Sequence, residues 1–133
     1  MATFHLQIVT PDRMVYDGEA ERIIVRAVNG DVAILPHHID YAVPLAIGQA
    51  KITDAEGNTR TAACNSGMLS VHGSEVRVVA VTFEWADEID LERARRAEES
   101  AQAELEKLKI QDKDFTIAEA RLKRALTRIQ VKG

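Results

Sequence analysis

The sequence predicts a β + α protein: an N-terminal antiparallel β-sandwich followed by a C-terminal antiparallel two-helix hairpin. Three observations predict it. All three prolines and six of the seven glycines lie before Ala86, and none lies between Asp87 and Lys132. Short β-branched or apolar runs separated by turn residues fill the first part. Alanines and leucines recurring every three or four residues fill the second. The composition change places a boundary near Trp85–Asp87, dividing a sandwich over residues 1–86 from a hairpin over residues 87–133.

The first predicted strand is Phe4–Val9, short and partly alternating. Ile23–Val25, Val32–Leu35, Met68–Val71 and Val76–Val81 are further apolar or β-branched runs. Asp17-Gly18, Asn29-Gly30, Glu56-Gly57-Asn58 and His72-Gly73-Ser74 punctuate them. Asn29-Gly30 suits a type I′ hairpin, because both residues accept positive φ. Many short strands with regular turns read as a sandwich or barrel. In the second part Asp87 is a candidate helix cap, with Asp90 in the first turn where the helix dipole favours acid. Ala94, Ala97, Ala101, Leu105 and Leu108 form one helical face. Ile110–Asp114 reads as a loop, and Thr116 with Glu119 has capping-box spacing. Ala118, Leu122, Ala125 and Ile129 make a second stripe. So short a loop forces an antiparallel hairpin. Alanine stripes allow close approach but bury little area, so the hairpin is predicted to be weakly held and able to open.

Helical geometry then places charges. Asp90 points along the first stripe, and Arg93 lies at its edge. Arg121, Arg124 and Arg128 line a basic edge of the second helix. In an antiparallel hairpin, Asp90 and Arg93 approach Arg124 and Arg128. Three guanidinium groups near one carboxylate suit an anion or a nucleotide phosphate, since Arg presents a planar fork to phosphate. The same arginines equally suit a solvated helix C-terminus. No Gly-rich phosphate loop accompanies them, so a nucleotide bound here is not expected to be hydrolysed.

Composition excludes several classes. With 133 residues, 46% apolar and 29% charged, the chain is neither collagen-like nor wholly disordered. A single cysteine, Cys64, permits no internal disulfide and allows a reducing compartment. No apolar run approaches a membrane span, and no signal-peptide core opens the chain. A net charge of −4 and 5% aromatics argue against nucleic-acid binding. No triad, carboxylate pair or cofactor loop supports catalysis by this chain, and no catalytic residue is assigned. His37-His38 is an adjacent pair without ligand spacing and reads as structural, with no metal expected. Cys64 reads as a small core residue, and Trp85 as packing between sandwich and hairpin. The alternative to a functional anion site is a generic sandwich-plus-hairpin adaptor without nucleotide binding.

Several segments in order resemble one family over essentially the whole chain. They are Val9-Thr10-Pro11, Val15-Tyr16 and Gly18-Glu19-Ala20, then Asn29-Gly30-Asp31-Val32-Ala33-Ile34-Leu35-Pro36-His37-His38. Ser66-Gly67-Met68-Leu69 and Ile89-Asp90-Leu91-Glu92-Arg93-Ala94 follow. Together they resemble the epsilon subunit of the bacterial F-type ATP synthase. Asp40 departs from the pattern, standing where many members have Pro.

The resemblance implies a non-catalytic rotor subunit. Its sandwich is a docking domain for the gamma subunit and the membrane c-ring, with Leu35, Pro36 and His38 in the docking loop. Its hairpin is a regulatory domain that permits ATP hydrolysis when folded down and inhibits it when extended into the catalytic head of alpha and beta subunits. Arg121, Lys123, Arg124 and Arg128 are the implied contacts to an acidic segment of beta. Some bacterial members bind ATP in the folded-down state, as a regulatory ligand and not a required cofactor. Glu84, Ile89, Asp90, Arg93, Ala94, Arg124 and Arg128 match those positions. Ser100 stands where ATP-binding relatives carry a further Arg, and its loss removes about 1.5–3 kcal/mol of charged hydrogen bonding. The implied location is peripheral, on the cytoplasmic face of the bacterial plasma membrane, reached through partners only. An exposed hairpin face also allows self-association of the isolated chain.

Overall fold

A computed structural model describes residues 2–133. Seven strands come first: β1 (Phe4–Val9), β2 (Met14–Ala27), β3 (Gly30–Ile34), β4 (Tyr41–Leu45), β5 (Gly48–Asp54), β6 (Thr59–His72) and β7 (Glu75–Trp85). A 3-10 turn, Ala86–Glu88, leads to helices α1 (Leu91–Lys107) and α2 (Lys113–Lys132). The predicted sandwich followed by two helices is therefore what the chain forms. Among the described residues, no helix is long and apolar enough to cross a membrane.

The strands close on themselves. β1 pairs with β2, β2 with β5, β5 with β6, β6 with β7, and β7 returns to β1. β4 lies on β6, and β3 lies on β2. Every pairing is antiparallel except β1 with β7, which is parallel. The inward residues of β1 are Phe4, Leu6 and Ile8, at a period of two. The long strands change phase part-way, because each passes from one layer to the other. β7 buries Val76, Val78 and Ala80, then Phe83 and Trp85. β6 buries Ala62 and Cys64, then Leu69 and Val71, with the change at Ser66-Gly67. Gly67 has φ +136°, and a Cβ there would collide with the carbonyl oxygen of Val79. Only glycine fits this crossing. Burial in the same interior pushes the Cys64 thiol up to about 12, so the thiol stays protonated and inert.

Several expectations need correction. β4 and β5 carry no strong β signal: β4 contains Pro44, and β5 is mostly Gly, Gln, Ala and Lys ahead of Ile52. Pro44 is tolerated because β4 meets β2 only at Ala27↔Leu45, leaving its other side nearly an edge. At the β2–β3 turn Ala27 pairs with Gly30, so the loop residues are Val28 and Asn29. Gly30 alone takes positive φ there, +122°, so the turn is not type I′. Asp87 does not cap α1. Glu88 Oε1 accepts from Trp85 N and closes a separate turn, and Asp90 becomes the cap by accepting from Arg93 N at 3.1 Å. α2 starts ahead of Thr116, at Lys113, because Asp112 accepts from Lys109 N and ends the loop early.

The hairpin packs through alanines: Ala94 and Ala101 on α1, Ala118 and Ala125 on α2. Ala97, expected on the stripe, is exposed. α2 lies over β5 and β6, and its seam with the sandwich is a small cluster of Ala63, Ile89 and Val131, flanked by Ala86. Trp85 is not in that seam. It belongs to the sandwich core, edge-on to Phe83 at 5.2 Å, with the Arg60 guanidinium 3.8 Å above its ring.

Candidate functional site: a cleft between sandwich and hairpin

The parallel β1–β7 pair sets Val9 beside Val79, so the turn after β1 lies beside the end of β7. The start of α1 arrives at the same place through the 3-10 turn, and the end of α2 comes back to it. Between them is a cleft of about 450 Å³. Glu84 and Thr82 line it from β7, Thr10, Asp12 and Arg13 from the β1–β2 turn, and Asp90, Arg93, Ala94 and Ala97 from the hairpin start. Arg128 closes it from α2, its Nε donating to Glu84 Oε1 at 2.5 Å. On the other wall Arg13 Nη2 donates to Glu88 Oε1 at 2.9 Å. The Arg13 guanidinium, helped by Trp85 N–H, holds the Glu88 carboxyl below the usual carboxylate range against the opposing effect of desolvation. Arg93 is exposed and forms no ion pair among the described residues.

Five of the seven anticipated ligand residues meet here: Glu84, Asp90, Arg93, Ala94 and Arg128. Ile89 does not line the cleft, being 3% exposed within the seam. Arg124 lies beneath α2, beside Ile47, Asn65 and Thr82. The expected excess of positive charge is absent. Asp12, Glu84, Glu88 and Asp90 face Arg13, Arg93 and Arg128, and two of the arginines are already paired. Arg13 escaped the sequence reading because only the parallel strand pairing brings it to the hairpin, and no local motif encodes that pairing; Glu88, in the linker turn, escaped because its partner is Arg13. Ser100 is exposed and does not line the cleft.

The other α2 basic residues are dispersed. Arg121 Nη1 donates to Glu104 Oε2 at 2.6 Å within the hairpin. Lys123 faces a separate groove with Arg26, Asp31 and Lys51. The loop after β3 stands at the opposite end of the sandwich. Leu35 is about half exposed, and His38 Nδ1 donates to Ile39 O at 2.7 Å beside the Tyr41 ring.

Two family models divide the chain between them. The "ATP synthase, Delta/Epsilon chain, beta-sandwich domain" matches residues 3–86, and the "long alpha-helix domain" of the same chain matches residues 87–133. The chain belongs to the ATP synthase epsilon-chain family. An ATP synthase epsilon chain from Halalkalibacterium halodurans is 37% identical over 100% of this chain and 99% of its own. One from Bacillus velezensis is 41% identical, again over 100% and 99%. Among solved structures, a chain of the Euglena gracilis mitochondrial ATP synthase, in its OSCP/F1/c-ring assembly, superposes with TM-score 0.83 at 21% identity. It covers 96% of this chain and 79% of that one, a likeness of fold. Both matched domains build the cleft.

Proposed function

We propose that this chain is a non-catalytic rotor subunit of an F-type ATP synthase, docked on gamma and the c-ring at the cytoplasmic face of a bacterial plasma membrane. Its hairpin restrains ATP hydrolysis when extended toward the alpha and beta subunits, and ATP in the cleft holds the hairpin down. The observation that carries this reading is the shared construction of the cleft. A ligand touching Glu84 on one side and Asp90, Arg93 and Arg128 on the other binds the folded-down state alone. Such a ligand stabilises that state by RT ln(1 + [L]/Kd). The lining also suits a nucleotide better than a bare anion. Arg93 is free to meet phosphate, while carboxylates and threonine hydroxyls can accept from a base amine or ribose hydroxyls.

Extension would break the Arg128–Glu84 pair and free that guanidinium, with Arg124 and Lys123, for an acidic segment of beta. Arg121 keeps Glu104 as long as the hairpin itself stays closed. The Leu35–His38 loop at the far end is the surface offered to the rotor. The test is hydrolysis by the assembled enzyme at low ATP, with and without residues 87–133. Release of activity on deletion supports the switch. Unchanged activity would falsify it and leave the adaptor reading.

A further inference from the structure

Strand register lays an alternating row of carboxylates and imidazoles across the outer face of the sheet, at the end away from the cleft. Glu19 on β2 lies opposite His5 on β1, His5 opposite Glu75 on β7, and Glu75 opposite His72 on β6. Asp40 ends the row. Its Oδ2 stands 3.2 Å from His72 Nδ1, and its Oδ1 accepts from Gly73 N at 2.9 Å. A proline at this position could make neither contact.

His5 is the centre of the row. Its Nδ1 is 2.7 Å from Glu75 Oε2, and its Nε2 is 2.5 Å from Asp17 Oδ1. A neutral imidazole has one N–H and one lone pair. At one of these two contacts it would turn the lone pair on a carboxylate. Both contacts are hydrogen bonds only if the ring carries two protons. The surrounding charges favour that form. β2 presents Asp17 and Glu19, the latter accepting from Thr3 Oγ1 at 3.1 Å. β7 presents Glu75 and, one pair further along the same face, Arg77 opposite Gln7. β6 adds His72 beyond Glu75. Along its own chain His5 has only the uncharged Thr3, just before β1, and Gln7 on β1 beside it. Three carboxylates thus face one imidazole, with a single guanidinium further off.

The position matters because β1–β7 is the parallel pair that closes the ring of strands, and His5 reaches both flanks of β1. We propose that His5 is a proton-held clamp on this closure: as an imidazolium between Asp17 and Glu75 it fastens β1 to β2 and β7, and loss of its proton loosens the first strand. The proposal concerns the sandwich alone and is independent of the nucleotide reading. Asp17 first, then Glu75, raises the proton affinity of His5 above the ordinary imidazole value. The clamp is therefore complete below about pH 6.5 and opens as pH rises through the raised value. Once open, Asp17, Glu19 and Glu75 repel one another around a neutral ring. Because Asp40 anchors the Leu35–Ile39 loop to the same row, the proton acts at the end offered for docking.

The test is a titration of the four histidines in the full chain by ring-nitrogen NMR, with amide exchange measured in parallel. The His5 midpoint is expected to lie above the ordinary imidazole value. Asp17→Asn and Glu75→Gln are each expected to lower its midpoint. Protection of β1 amides, corrected for intrinsic exchange, is expected to fall about tenfold for each unit by which the His5 midpoint is raised, as the proton leaves. In His5→Gln that dependence disappears. The proposal is overturned if the His5 midpoint lies at or below the ordinary imidazole value, or stays unchanged in both Asp17→Asn and Glu75→Gln. It is equally overturned if β1 exchange follows the same curve in His5→Gln as in the parent. The titration of the unaltered chain decides the matter even if the variant folds poorly.

Discussion

Leu6, Ile8, Ile23, Ile34, Ile52 and Leu69 are completely buried in the sandwich, whereas the hairpin buries mainly alanines. Each large sandwich residue contributes about 1.5–3 kcal/mol of transfer free energy. The seam that fixes the hairpin is Ile89, Val131 and Ala63, on the order of 5 kcal/mol before the ordering of two helices is subtracted. One region is thus a deeply packed platform and the other a lightly held attachment. In the switch proposed above, a ligand of moderate affinity in the cleft reinforces the seam by an amount comparable to the seam itself, while the sandwich needs no such help.

Substitutions sharpen or break the contrast. The largest effect is expected for Gly67→Ala, which forces a side chain against the Val79 carbonyl at positive φ. It should cost more than about 4 kcal/mol and remove the platform, read as loss of the cooperative thermal transition. Ile89→Ala is expected to weaken docking of the hairpin by about 2–4 kcal/mol. Hydrogen exchange should then show α2 deprotected while β6 and β7 stay protected, and equal loss in both regions would refute the inequality. A double-mutant cycle on Glu84 and Arg128, both about one-third exposed, is expected to give about 1 kcal/mol of coupling across the seam. A coupling within error of zero would remove the pair from docking.

The smallest effect is acid loosening through Glu88. Its carboxyl is held low by Arg13, so its contribution is present above the unfolded value of about 4.3 and is lost as pH falls through the folded one. The pair is half-exposed, which limits it to a few tenths of a kcal/mol. Glu88→Gln should flatten the acid limb of hairpin docking. An unchanged acid limb would place the sensitivity elsewhere.

What the sequence revealed follows the range of the interactions. The two-helix hairpin and most strands are local patterns, visible in glycine, proline and apolar spacing. Within Ile89–Ala94 the structure sets Asp90, Arg93 and Ala94 at the cleft, but Ile89 is buried in the seam and Asp90 takes the capping place expected of Asp87. β4 and β5 were invisible because Pro44 and the polar run around Lys51 conceal strands held by their neighbours. The cleft was half legible. Helical geometry brought Asp90 and Arg93 to Arg128, but the parallel β1–β7 pairing that delivers Arg13, and clamps His5, joins residues some seventy positions apart. The predicted excess of positive charge failed because helix geometry alone leaves out Glu84 at the sandwich edge and Glu88 in the linker turn.

The most direct measurement is a calorimetric titration of the full chain with ATP, alongside Arg93→Ala. Saturable one-to-one binding is expected, protecting α2 from hydrogen exchange and lost or weakened at least tenfold in the variant. Absence of binding at millimolar ATP, or equal binding by Arg93→Ala, would contradict the proposed switch.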